Sequence, residues 1–351
     1  MPNSLQLPDL RIRINGRDLS GPVRLDIKGI AVHEDLDAAS MFAIDLYNWN
    51  QDLLRITWSD DPRFMPGNQV ELWLGYVDAL QKVMTGDITS LEPAFQADEI
   101  PMVTIRGYDR RHRLLRGRQT RSFAKMKDSA IASKIAGDAG LQAKVKDSQV
   151  THDYVLQHNQ TDLAFLQERA RRIGYEVYVR DKKLYFQPRQ AASKEVATLR
   201  LSQDIIEFFP RLTTMSQVSE VAVQGWDVMR KAPVTSRSMS SSIPPMAGKT
   251  TGSKATSMAF GASRAAQVRW PVASTAEADQ MARGQFDEMS LHYIHGEVVC
   301  EGRADLHAGD VVRIEEAGET FSGAYYITSV IHTMNEGRGY ETRLFVQRNA
   351  G

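Results

Sequence analysis

The chain has 351 residues, 25% of them charged and 42% hydrophobic, an ordinary globular composition that predicts two or three domains. Lys plus Arg and Asp plus Glu both number 43, so the formal net charge is zero, which excludes a chain-wide nucleic-acid footprint. The lone cysteine, Cys300, excludes an intramolecular disulfide, and no apolar run approaches the roughly 20 residues that span a bilayer.

The first hundred residues read as β. Leu10, Ile12 and Ile14 alternate with Arg11 and Arg13 before an Asn15-Gly16 turn, and Val23, Leu25 and Ile27 alternate again. Phe42, Ile44 and Leu46 continue the pattern. Pro66-Gly67-Asn68 makes a turn before Val70–Val77, and the stretches Val83–Leu91 and Met102–Tyr108 complete the set. The period then changes. Ile131 and Ile135 share a helical face that Gly140 ends. A second helix runs from Asp162 to Ile173, capped by Thr161 and stopped at Gly174, with Leu163, Leu166, Ala170 and Ile173 as its buried stripe. Tyr175–Arg180 and Leu184–Gln187 then form a hairpin, completing a compact α+β unit.

β pattern returns at Ala197–Leu201, Ile205–Phe209 and Val218–Trp226. The stretch 231–263, rich in Ser, Thr, Met, Pro and Gly, reads as a mobile loop. A third helix follows over 275–291, with Ser274 and Glu277 spaced as a capping box. Short strands then alternate with Gly and Asp turns to the end of the chain. The expected class is α+β, mainly β. The expected units are 1–118 and 193–351, both strand-rich, flanking a small α+β unit at 119–192.

Four stretches resemble the phage late control D family, the baseplate hubs that also form the N-terminal part of VgrG spike proteins. They are Pro66–Tyr76 followed by Thr85–Glu92; Gly107–Phe123; His158–Glu176, which carries an Asn159-Gln-Thr-Asp162 segment and Phe165-Leu166; and His307–Val312 with Phe321–His332. The resemblance implies two tail-tube-like antiparallel β-barrels joined by the inserted unit. It also implies a homotrimer that adapts a hexameric tail tube to a separate trimeric spike, with contacts to other baseplate proteins. It places the chain in the bacterial cytoplasm during assembly and then in a virion baseplate or injection particle. The N-terminus shows no signal-peptide pattern, in keeping with that expectation.

The densest charge feature runs from Arg106 to Lys127 and includes Arg110, Arg111, Arg113, Arg116, Arg118 and Arg121. These six are the candidate interface residues, because a planar guanidinium pairs bidentately with carboxylates on a neighbouring subunit. The alternatives are a solvated strand edge and contact with passing DNA. His292 and His295, three apart at a helix end, share a face without a third metal ligand, and Cys300 between apolar neighbours reads as a core residue. The sequence holds neither a Gly-x-Ser-x-Gly elbow nor a phosphate-binding glycine loop. No catalytic residue, cofactor, metal, stable nucleic-acid binding or membrane insertion is therefore expected. The rival reading is a cell-wall hydrolase or secreted effector housed in the α+β unit; a tube or adhesin module is the third.

Overall fold

Alternating side chains place one apolar row inside each strand, and the rows meet across the sheet in register. A computed structural model describes residues 7–19, 21–227, 230–248, 250–267 and 272–351. The chain is mainly β, 48% strand and 19% helix, around one 13-stranded sheet whose hydrogen-bonded path ends at the strand Ile205–Leu212 on one side and at the Pro8–Ile14/Arg17–Asp18 hairpin on the other. In the first half Ile30, Ile44 and Ile105 lie opposite one another on three adjacent strands and are all buried. In the second half Phe208, Val298, Leu344 and Val330 line up likewise across four strands, with Phe208 partly buried and the other three fully buried. The halves are joined directly. Ile27–Asp35 pairs antiparallel with Gly323–Asn335 from Gly29 opposite Asn335 to Asp35 opposite Ser329.

Gly107 shows how tightly the first half is packed. A Cβ there would lie 2.4 Å from the Phe42 ring and 2.3 Å from the Asp87 carbonyl oxygen, so only glycine lets Phe42 lie across the strand. The first core also draws on Ala304, Met334 and Tyr340, so the end of the chain helps build the beginning.

Between the halves lies the α+β unit with its own core, including Phe123, Ile131, Ile135, Leu166, Leu184 and Phe186. Its helices are Asp128–Asp138 and Asp162–Arg172; the Thr161 hydroxyl accepts from the Ala164 N–H at 3.2 Å, and Gly140 and Gly174 have φ of 68° and 70° past the helix ends. The third helix is Thr275–Leu291, with Ser274 accepting from the Glu277 N–H. Gly284 on that helix meets Gly174 so closely that a Cβ would lie 2.5 Å from the Gly174 nitrogen, and the two units touch backbone to backbone.

Two local expectations change. Val23 and Leu25 lie in a short helix, Gly21–Leu25, which buries Val23 and leaves Leu25 exposed; Pro22 has the φ that a first helical turn requires. The expected mobile loop 231–263 is folded where it is described; Lys249 lies outside the described residues. Ala232–Ser238 pairs with Glu220–Asp227, and Gly252–Phe260 is a helix capped by Thr251. The Pro-containing stretch between them is pinned by Asn349, whose amide donates to the Ile243 and Pro244 carbonyls at 3.1 Å. Asp279 and Asp287 accept from Ser236 and from Ser241 and Ser242. The hydroxyls that made this segment read as loop are its tertiary ties.

Candidate assembly interface

The basic stretch folds back onto the protein. Arg111 is 1% exposed: its Nε donates to Asp109 Oδ2 at 2.8 Å and its Nη2 to Ser40 Oγ at 2.6 Å. Arg110 is buried, donates from Nη2 to Gln69 Oε1 at 2.9 Å, and leaves its Nε without a partner. Arg113 and His112 converge on Asp87. Burial pushes that carboxyl up, but hydrogen bonds from His112 and Arg113 outweigh it and hold Asp87 below the usual range. Arg121 reaches Gln157, Asp138 and Asp162, and Arg118 donates to the Asn159 carbonyl. Arg116 is exposed with no side-chain partner among the described residues. The six arginines therefore do not form one patch. Their acidic partners lie up to 41 residues away in sequence, which a reading of local charge runs does not detect.

The exposed apolar surface that sequence reasoning missed is the edge strand Ile205–Leu212. It pairs only with Ile294–Glu301, so the backbone groups along its other side have no strand partner among the described residues. Ile206 and Phe209 are 55% and 61% exposed, and Leu212 is exposed beside them. Phe209 lies opposite Glu297, and Glu297 opposite Phe345, so two exposed phenylalanines flank one carboxylate on the outer face. The signal in the sequence was the unbroken Ile-Ile-Glu-Phe-Phe run, which carries apolar residues on both faces of a strand.

The three units meet at a cavity of about 100 Å³ lined by Glu34, Lys82, Asp109, Arg180, Asp181 and His307, among others. His307 Nδ1 lies 2.8 Å from Glu34 Oε1, while Arg180 donates to the Ala308 carbonyl and the His307 N–H to Asp310. Burial lowers the His307 pKa, but Glu34 more than compensates and raises it; burial raises that of Glu34, and the His307 hydrogen bond brings it down. His332 nearby is held by burial at about 4 and stays neutral. The raised histidine contributes stability that is complete below the unfolded imidazole value, about 6.5, and disappears as pH climbs through its folded value. The depressed Glu34 contributes above the unfolded carboxyl value and loses that contribution in acid. Thermal melts from pH 5.5 to 8.5 should show wild type losing stability relative to Glu34→Gln as pH rises; parallel curves would refute the clasp.

His295 lies on the strand Ile294–Glu301 and His292 just past the helix, so the two do not share a helical face; His292 approaches Glu288 at 3.3 Å. No group of three or more His, Cys, Asp or Glu could hold a metal ion among the described residues. Cys300 is buried, its thiol pushed by burial up to about 12.

The family model described as "Alg8 N-terminal domain" matches residues 4–336. The chain belongs to this family. No curated protein matches it. Among solved structures, a 43 kDa tail protein of prophage MuSo2 from Shewanella oneidensis is 14% identical with a TM-score of 0.73, over 97% of this chain and 98% of that one. The tail protein from Neisseria meningitidis MC58 is 15% identical with a TM-score of 0.70, over 97% and 96%. An E. coli component of the type VI secretion system, described as structurally similar to the T4 bacteriophage tail proteins gp27 and gp5, is 14% identical with a TM-score of 0.62, over 97% of this chain and 77% of that one. At these identities the likeness is one of fold, and the fold of this family member is that of phage tail and type VI secretion proteins.

Proposed function

We propose that the chain is a structural hub of late control D type in a contractile tail or phage-like injection particle. It assembles as a homotrimer of paired barrels and joins a tail tube to a separate spike. The observation that carries this reading is the open edge strand that leaves Ile206 and Phe209 more than half exposed, with Leu212 exposed at its end. An unpaired edge bearing apolar side chains is a template for another strand, and proteins that stay monomeric blunt such edges with charge. Here Pro210 removes one N–H and the charges Glu207 and Arg211 are exposed on the strand, but Ile206 and Phe209 still leave apolar surface along it. The tail-protein fold supports the same reading. Arg116, Arg118 and the outer part of Arg113 are the basic groups left for a partner.

The rival hydrolase reading needs a cleft in the α+β unit. That unit is filled by its own core, and its carboxylates Asp128 and Asp162 are engaged by Arg169 and Arg121.

Native mass spectrometry should find wild type as a trimer and Ile206→Asp/Phe209→Asp as a folded monomer, since both side chains are exposed within one chain. An obligate contact of this kind buries about 2,000–5,000 Å². A variant that remains trimeric, or a wild type that stays monomeric at high concentration, would sink the proposal.

A further inference from the structure

The segment 239–248, between the strand Ala232–Ser238 and the helix Gly252–Phe260, is ordered without a ladder. None of its backbone groups bonds to another backbone group among the described residues. Side chains hold it instead. Asp287 on the third helix accepts from Ser241 Oγ and from the Ser242 N–H, both at 2.7 Å, and from the Ser242 hydroxyl. Asn349 is fully buried. It donates to the Ile243 and Pro244 carbonyls, and its Oδ1 accepts from the Met246 N–H at 3.0 Å. The amide group of this one residue is therefore wholly engaged by the strap.

The sequence of the strap dictates its shape. A proline ring sets φ at about −65° and drives the residue before it to extended backbone, so Ile243-Pro244-Pro245 lies close to polyproline II, with about three residues per turn. That period puts Ile243 and Met246 on one side. Ile243 is buried with Leu36, Leu291, Val311, Ala324 and Tyr326, Met246 packs against the same cluster, and Pro244 and Pro245 are exposed. Polyproline II has no internal hydrogen bonds, so its carbonyls are open to side-chain donors, and Asn349 is such a donor. The fit is close: a Cβ on Gly323 would lie 2.2 Å from the Ala247 Cβ. The groove beneath also touches every unit of the fold. Leu36 comes from the first half, Val311 and Ala324 from the second, and the Tyr326 hydroxyl donates to Glu176 of the α+β unit at 2.6 Å.

We infer that this groove is a binding site for an extended apolar-Pro-Pro-apolar segment of a partner protein, and that the chain's own strap occupies it until such a segment displaces it. The strap displays the ligand chemistry: two apolar anchors three apart, carbonyls for a buried amide, and preceding hydroxyls for a carboxylate. A segment held by side chains alone opens at lower free energy than the sheets and helices around it. Tethering keeps the strap at an effective concentration of about millimolar, so a free segment binds in competition with it.

The test uses the full chain carrying Ile243→Ser and Met246→Ser, and the peptide acetyl-Ser-Ser-Ile-Pro-Pro-Met-Ala-amide. Saturation-transfer NMR on the peptide methyls should show it binding the variant about tenfold or more tightly than wild type, in which the strap competes. A peptide with serine at both anchors should not bind, and adding Asn349→Ala to the variant should abolish binding. Wild type supplies a reading that no substitution disturbs. Its Ser242 and Met246 amides, both hydrogen-bonded, should exchange with solvent through a local opening, about tenfold or more faster than the amides at the centre of Thr275–Leu291. Exchange at equal rates, a variant that does not fold, or peptide binding that is the same in wild type and variant or absent from both overturns the inference. None of these readouts depends on the trimer, so this site and the hub reading stand or fall separately.

Discussion

Asp109→Ala should cost about 3–5 kcal/mol, the range seen when one member of a buried ion pair is removed. Asp109 makes four hydrogen bonds with Ser40 and Arg111 in one small volume. Its N–H donates to the Ser40 carbonyl at 2.8 Å, Oδ1 accepts from the Arg111 N–H at 2.8 Å, and Oδ2 accepts from the Ser40 N–H at 3.1 Å and from Arg111 Nε at 2.8 Å. Alanine retains only the first. Arg111 stays charged at any accessible pH and, at 1% exposure, cannot reach water without opening the turn before Met41. The urea midpoint should fall with the slope unchanged. The paired swap Asp109→Leu/Arg111→Met should cost much less than the single change, because it leaves no orphan charge. A loss below about 1 kcal/mol for Asp109→Ala would mean that the guanidinium is solvated in the folded protein.

Asp128 should be as sensitive, and its effect should depend on pH. It is 2% exposed and lies at the start of Asp128–Asp138, where the helix dipole favours a negative charge. Arg169 donates to both carboxylate oxygens, at 2.6 and 3.1 Å, and His152 Nε2 lies 3.1 Å from Oδ2. The network continues to Glu277 on the third helix, which pairs with Arg172 at 2.9 Å, so it fastens the α+β unit to the second half of the chain. Asp128→Ala should cost about 3–5 kcal/mol at pH 7. Burial raises the Asp128 pKa, but hydrogen bonds and charge from His152 and Arg169 bring it below the ordinary value. A depressed carboxyl stabilises above the unfolded value, about 3.9, and loses that contribution as pH falls through its folded value. The gap between wild type and Asp128→Asn should therefore be full at pH 6–7 and close only in acid. A gap that is constant down to pH 2.5 would show that the carboxylate's charge is not what holds the junction.

Periodicity and capping made much of the local structure legible in advance. The helix Asp162–Arg172 was readable because Thr161, Asp162 and Gly174 each act within a turn of themselves. The strands around Ile44 and Ile105 were readable because alternation is a local property. The segment 231–263 was misread because its order comes from Asp279, Asp287 and Asn349, far off in sequence. The arginine run does not form one patch for the same reason, since Asp87 and Asp162 neutralise parts of it from separate elements. Of the candidate interface, Ile205–Phe209 was visible as a strand, but its extension to Leu212 and its place at the sheet edge were not.

Composition and pattern alone thus specified a mainly β chain with a helical insert, because alternation, capping and glycine stops act between near neighbours. Only the tertiary structure decided which charges are spent inside the molecule and which strand is left unpaired. Those depend on pairing between segments as far apart as Ile27–Asp35 and Gly323–Asn335, a choice made by the collapse of the whole chain into registered rows.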